Sequence, residues 1–303
     1  MLTGGVGGAK LVLGLQQVMP AADITVIVNT GDDFVHLGLP VSPDIDTLLY
    51  TLAGKANTAQ GWGRQGESWA FMAALRELGG PDWFALGDGD LALHVSRLAA
   101  RADGQPLSAI TARFAAAFGI AARILPMTDN PVATMLDTDI GRLAFQAYFV
   151  ERRCVPVVTG IDFDGAADAR PGPGVLAAIA AAGAIIIAPS NPWLSVDPIL
   201  AVPGIATALR AAAAPVVAVS PIIDGKAIKG PTAKLMTELG LPVTNASIAT
   251  HYRDVIDGLV IDSGDSADGV GIPAATTATL MSTLDDRARV AQTALELAAV
   301  LAT

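Results

Sequence analysis

Eight residues near the amino end, Thr3-Gly4-Gly5-Val6-Gly7-Gly8-Ala9-Lys10, set four glycines at the opening of a helical pattern. Glycine lets backbone N–H groups come close to an anion, and a helix N-terminus adds partial positive charge. Ala9 and Leu11 stand where a Walker loop requires Gly and Ser or Thr, and the spacing is not a clean GxGxxG. A tight turn that needs glycine only for packing is the plain alternative. Two further loops carry paired acids. Val28-Asn29-Thr30-Gly31-Asp32-Asp33 follows an apolar run, and Ser42-Pro43-Asp44-Ile45-Asp46-Thr47 leads into a helix. An Asp at a helix start is often a cap. Two such pairs close to one glycine loop also suit Mg2+ shared with substrate phosphates. Asp46 is alternatively a general base.

Three more segments could do chemistry. Leu86-Gly87-Asp88-Gly89-Asp90 is followed by His94, expected on the first turn of a helix from about residue 91. Ala188-Pro189-Ser190-Asn191-Pro192 follows three isoleucines and offers donors to a phosphate or a base edge. The chain has five lysines, and Lys226, Lys229 and Lys234 fall in one stretch, Ser220 to Leu235, that includes Gly230, Pro231 and Thr232. On a chain of net charge −10, such a helix entry is a local exception able to hold phosphate. The bland readings are an ordinary hydrogen-bonded His94, a simple loop after the isoleucine strand, and a solvated lysine loop.

The elements that must position these loops alternate from end to end. Residues 24–29, 184–188, 216–220 and 259–262 are short, β-branched and bounded by turn residues, and read as buried parallel strands. Residues 10–18, 68–78, 175–182 and 285–301 read as helices. This predicts one α/β unit over 1–303, a Rossmann-like parallel sheet with helices on both faces, which places ligands at the carboxyl ends of its strands. Residues 51–119 read as a largely helical insertion or cap, and 153–174 as a turn or hairpin.

The acidic balance argues against general nucleic-acid binding, which needs a basic face. No apolar run reaches the ~18 residues of a membrane span. The amino end shows no basic region or cleavage pattern, and the single Cys154 rules out an intrachain disulfide framework. A cytoplasmic protein with small-molecule substrates is the expectation.

Taken in order, TGGVGGAKL, VNTGDD, SPDIDT, LGDGD with His94, LPMTDNPV (residues 125–132), APSNP and SPIIDGKAIKGPTAKL resemble the 2-phospho-L-lactate transferase family, the CofD or FbiA type of coenzyme F(420) biosynthesis. The resemblance runs from about residue 2 to 286. It implies transfer of a phospholactyl, phosphoenolpyruvyl or phosphoglyceryl group from a guanosine diphosphate ester to the ribityl hydroxyl of the deazaflavin precursor Fo, with release of GMP. It also implies Mg2+ and a homodimer. Carried over residue by residue, it marks Asp46 and Asp44 as catalytic and metal-binding. Gly4, Gly5, Gly7, Gly8, Lys10, Asn29, Asp33, Asp88, Gly89, His94, Ser190, Asn191, Lys229, Gly230, Thr232 and Lys234 are marked for substrate, with Ser190 and Asn191 on the guanine nucleotide. Where the family usually has Arg or Lys between the acids of the GD-x-D motif, this chain has Gly89, so contact there falls to backbone or to another cation such as Arg97. A second branch, the gluconeogenesis factors, shares the fold but binds nucleotide-sugars as regulators. It carries glycine and serine in place of SPDIDT, so Asp44 and Asp46 favour the transferase. A dinucleotide-dependent oxidoreductase is disfavoured, because this chain lacks the glycine spacing such an enzyme needs before its acidic residue.

Overall fold

The computed structural model describes residues 1–227 and 230–303. The chain runs β1 (Leu2–Thr3), α1 (Gly5–Val18), β2 (Thr25–Val28), the hairpin of β3 (Phe34–His36) and β4 (Leu39–Val41), α2 (Pro43–Leu52), α3 (Ala70–Glu77), α4 (Asp88–Ala102) and α5 (Leu107–Ala117). It continues with β5 (Arg123–Pro126), β6 (Ala133–Thr138), β7 (Gly141–Ala144), β8 (Val158–Asp164), α6 (Val175–Ala180), β9 (Ile185–Ile187), α7 (Asp197–Ala201), α8 (Ile205–Arg210) and β10 (Val216–Val219). A small hairpin, β11 (Ile222–Ile223) and β12 (Lys226–Ala227), precedes α9 (Thr232–Glu238), α10 (Asn245–His251), β13 (Gly258–Asp262), β14 (Ala274–Thr277) and α11 (Leu284–Leu301).

Seven strands form one parallel sheet in the order β14-β13-β10-β9-β1-β2-β5. The chain builds outward from β1 to β2 and β5, then returns to lay β9 against the other side of β1, with Leu2 opposite both Ile27 and Ile187. The order therefore reverses between β1 and β9. A crevice at their carboxyl ends is where such a sheet takes its ligand.

Strand periodicity divides the isoleucines between two cores. Ile185 and Ile187 join Leu2, Val216 and Leu259 under α6 and α8 to α10, whereas Ile186 joins Val26, Val217 and Val260 under α1, α2 and α11. Leu93, Ile110 and Phe114 lie in that second core beside Ile24 and Ile124. The helices α4 and α5 of the expected cap thus cover the sheet as part of its layer, because their apolar stripes are long enough to need burial.

Other local expectations shift. Helix α1 begins at Gly5, inside the glycine loop, and α4 begins at Asp88, which puts His94 in its second turn. Residues 153–174 do not make a hairpin of their own. β8 pairs antiparallel with β6, giving a three-stranded sheet in the order β7-β6-β8. No helix among the described residues is long and apolar enough to cross a membrane.

Candidate active site

The loop after β1 and the loop after β9 meet at the reversal of strand order. Ser190 Oγ donates to Gly4 O at 2.7 Å, and Gly4 N points back to Ser190 Oγ at 3.3 Å. Ser190 therefore clamps the glycine loop. Asn191 is similarly occupied: Oδ1 accepts from the amides of Trp193 and Leu194, and Nδ2 donates to Thr232 Oγ1 at 3.0 Å, tying in the start of α9. The glycines are needed for close approach. A Cβ on Gly4 would fall 2.5 Å from Asp44 Oδ2 and 2.7 Å from Ser195 Cβ, one on Gly8 would collide with Thr3, and Gly5 has φ +66°.

These loops wall a cavity of about 520 Å3. Gly4, Gly5, Val6, Gly7, Lys10, Asp44, Ser190, Asn191, Gly230 and Thr232 all face it. The four leading amides of a helix have no partner within it. Gly4 N is taken by Ser190 and Gly5 N by Asp44 Oδ1 at 2.6 Å, which leaves Val6 and Gly7, the next two, for an anion. Phe84, Phe145 and Phe149 add aromatic surface to the lining, with Phe145 and Phe149 stacked at 5.2 Å. Two π-helical turns, Ala147–Glu151 and Pro192–Val196, flank the opening, an irregularity found often at functional sites.

Asp44 is nearly fully buried, and its second oxygen accepts from Asn29 Nδ2 at 3.0 Å. Burial pushes its carboxyl up to about 6 despite the Asn29 and Gly5 donors. Asn29 therefore reaches the site through Asp44, braced in turn by Gly31 N on its Oδ1 at 2.7 Å. Asp32 also faces the cavity, a placement the sequence reading passed over in favour of Asp33. Burial, and then the Asp44 charge, push the Asp32 carboxyl well above the usual range, and its Oδ1 has no hydrogen-bond partner among the described residues. Adjacent acids in a loop look alike in sequence, and only the backbone trace decides which one points inward.

Asp46 faces the other way. Successive helical residues turn by about 100°, so Asp44 and Asp46 leave opposite sides of α2. Asp46 meets the fully buried Arg97 of α4 in a close ion pair, with a second contact to Arg97 Nη1 at 3.2 Å. His94 Nδ1 lies 3.1 Å from Arg97 Nη1, and Nε2 lies 3.2 Å from Asp90 Oδ2. Tyr50 Oη donates to Asp90 Oδ1 at 2.5 Å. Asp33 borders this group, accepting from Ser42 Oγ at 2.7 Å, with its carboxyl pushed up to about 8 by burial. Asp46, Asp33 and His94 are thus gathered behind α2, outside the cavity wall.

The remaining candidates separate further. Asp88 is half-buried and caps α3 through the amides of Ala70 and Phe71. Gly89 N donates to Glu67 Oε2 at 2.6 Å, and the Arg64 guanidinium occupies the space a side chain at 89 would fill. A cation thus stands at that place from Arg64, whereas Arg97 is committed to Asp46. Lys234 turns away from the cavity, donating to Pro156 O at 2.8 Å and pairing with Glu238. Lys229 lies outside the described residues.

Carboxylates beside unspent amides suit a divalent cation that brings a phosphate with it. Among the described residues no three His, Cys, Asp or Glu side chains enclose a metal, so two aspartates would need ligand oxygens or water to complete a shell, as Mg2+ accepts.

The profile of the family described as 2-phospho-L-lactate transferase CofD matches residues 1–299. A phosphoenolpyruvate transferase of Streptomyces griseus is 41% identical over 98% of this chain and 97% of its own. A 2-phospho-L-lactate transferase of Methanosarcina mazei is 36% identical over 96% and 97%. Among solved structures, a UPF0052 family member from Bacillus halodurans shares the fold, with TM-score 0.64 at 18% identity over 97% of this chain and 98% of that one. With a match along nearly its whole length, the chain belongs to the 2-phospho-L-lactate transferase CofD family and is a phosphotransferase of that type.

Proposed function

We propose that the enzyme moves a phospho-three-carbon-acid group, with phosphoenolpyruvyl preferred, from the guanosine diphosphate ester of the three-carbon acid to the terminal ribityl hydroxyl of Fo. The names of the Streptomyces relatives support that donor. In the transfer the acceptor oxygen bonds to the phosphorus carrying the three-carbon acid. The bond from that phosphorus to the bridging oxygen breaks, its electron pair leaves with GMP, and the hydroxyl proton passes to water. A homodimer is part of the same proposal.

The chain's own contribution is binding and charge placement. The Val6 and Gly7 amides, at the positive end of α1, receive phosphate oxygens. Asp44 holds the Gly5 amide and is itself held by Asn29, which fixes the loop before substrate arrives. The Phe145–Phe149 pair offers a flat apolar surface to a ring system. Asp32 and Asp44 fit Mg2+: the Asp32 Oδ1 has no partner among the described residues, and Asp44 is held only by neutral donors. Bound there, Mg2+ would neutralise charge on the pyrophosphate.

The observation that carries the reading is the convergence of unspent helix amides, two buried carboxylates and an aromatic wall on one cavity at the strand-order reversal. Incubating purified protein with Mg2+, Fo and the guanosine diphosphate ester of enolpyruvate should release GMP and give a product heavier by the phosphoenolpyruvyl group. Tight binding of a nucleotide-sugar with no GMP from any three-carbon donor would replace this reading with the regulator's.

A further inference from the structure

A second cavity, of about 580 Å3, opens beneath α7, α8 and α10, lined by Arg210, Arg253, His251 and Asp197 above an apolar floor that includes Leu200 and Phe163. His251 Nε2 lies 2.8 Å from Asp197 Oδ1, so these two satisfy each other. Asp254 also borders the opening. Neither the Arg210 nor the Arg253 guanidinium makes a hydrogen bond or an ion pair with any described residue. On a chain of net charge −10, two uncommitted guanidiniums on one cavity wall balance Asp197 and Asp254, so the lining is locally neutral and its free donors are the two arginines. Guanidinium presents donors in a planar fork that matches an oxyanion.

The two cavities share a segment. Asn191, Leu194 and Ser195 face the first cavity. Between and beyond them, the Trp193 ring packs on the His251 ring at 4.8 Å and Asp197 holds that same imidazole.

We propose that this second cavity is a binding site for a small phosphomonoester, its phosphate held by Arg210 and Arg253 and its apolar body lying on Leu200 and Phe163. It is independent of the transferase reaction and of the reading given for the first cavity. His251, at the edge of the site, reports on it.

The test follows the His251 imidazole resonances by NMR in the full chain, assigned by their loss in His251→Gln. Inorganic phosphate and, separately, phenyl phosphate are titrated at constant ionic strength. Saturable His251 shifts are expected with both probes, with phenyl phosphate the tighter because only it reaches the apolar floor. Arg210→Ala and Arg253→Ala should each weaken both by about tenfold or more, the loss of one charged hydrogen-bond donor. Asp44→Ala, which alters only the first cavity, should leave the curves in place. Because both arginines are exposed, their variants should fold, and unchanged chemical shifts elsewhere check this. Absence of a saturable shift, or the same curve in the double variant Arg210→Ala/Arg253→Ala, overturns the proposal. Equal affinity for the two probes overturns the phosphomonoester and leaves a simple phosphate site. GMP release does not enter either outcome, so failure here and failure of the transferase reading are distinct results.

Discussion

Asp44 and Asp46 sit two residues apart on one helix, and their surroundings differ in kind. Asp46 is enclosed with a guanidinium, an imidazole and a second carboxylate–phenol pair, so its charge is answered within the protein. Asp44 has only neutral donors and faces Asp32, whose free oxygen is answered by nothing described. A buried charge with a partner is a structural device; buried charges without one are tolerated where a ligand completes them. The contrast favours Asp32 and Asp44 as the proposed metal-holding pair, where the sequence points to Asp44 and Asp46 together.

The largest expected effect lies on the structural side. Arg97→Ala should cost about 3–5 kcal/mol of stability, because it strands Asp46 in the interior. Denaturant unfolding checks this, and a loss below about 1 kcal/mol would erase the contrast. Asp46→Asn should likewise destabilise the fold, so any loss of turnover it causes must be read against its unfolding curve. On the other side, Asp44→Asn and Asp32→Asn should lower kcat by about 100-fold or more while the protein stays folded. Steady-state GMP release, with far-UV dichroism as the control, separates the two sides of α2.

Proton linkage sharpens the same division. Asp44 at about 6 and Asp33 at about 8 both lie above the unfolded value of about 4. The native state then binds more protons than the unfolded state between those limits, so stability without divalent cation should fall as pH rises from about 4 to 8. Asp44→Asn should remove the part between about pH 4 and 6, on the order of 2–3 kcal/mol, and leave the part that ends near 8. A wild-type protein that gains stability across this window contradicts the placement of these carboxyls.

Smaller effects test the edges. Gly4→Ala puts a methyl against Asp44 and Ser195 and should cost about 1–3 kcal/mol, with loss of GMP release from the displaced carboxylate. Tyr50→Phe removes one donor from Asp90 and should cost about 1 kcal/mol, measured as a shift of the urea midpoint at constant slope.

Much of this was legible in the residues. β-Branched runs mark β2, β9, β10 and β13, and the seven ordered motifs carry the family signature in the sequence itself. The glycine loop, Asp44, Ser190, Asn191 and Thr232 do meet in one cavity. What sequence could not give is direction. Asp32 versus Asp33, and Asp44 versus Asp46, differ only in which side of a loop or helix they leave, and that follows from packing against α4 and the glycine loop. β14, with the sequence Ala-Ala-Thr-Thr, carries too little apolar signal to read as a strand and forms because β13 offers it a ladder. Arg64 stands over Gly89 because the chain before α3 folds back across the start of α4, a long-range placement that no local spacing encodes.

The central claim is that Asp32 and Asp44, and not Asp46, hold the divalent cation beside the glycine loop. Titration calorimetry of Mg2+ into the protein saturated with GDP tests it directly, in wild type, Asp32→Asn, Asp44→Asn and Asp46→Asn. One Mg2+ should bind to wild type and to folded Asp46→Asn, with binding lost in both other variants. Retention by Asp32→Asn and Asp44→Asn, with loss in a folded Asp46→Asn, would return the metal to the far side of α2 and contradict the account.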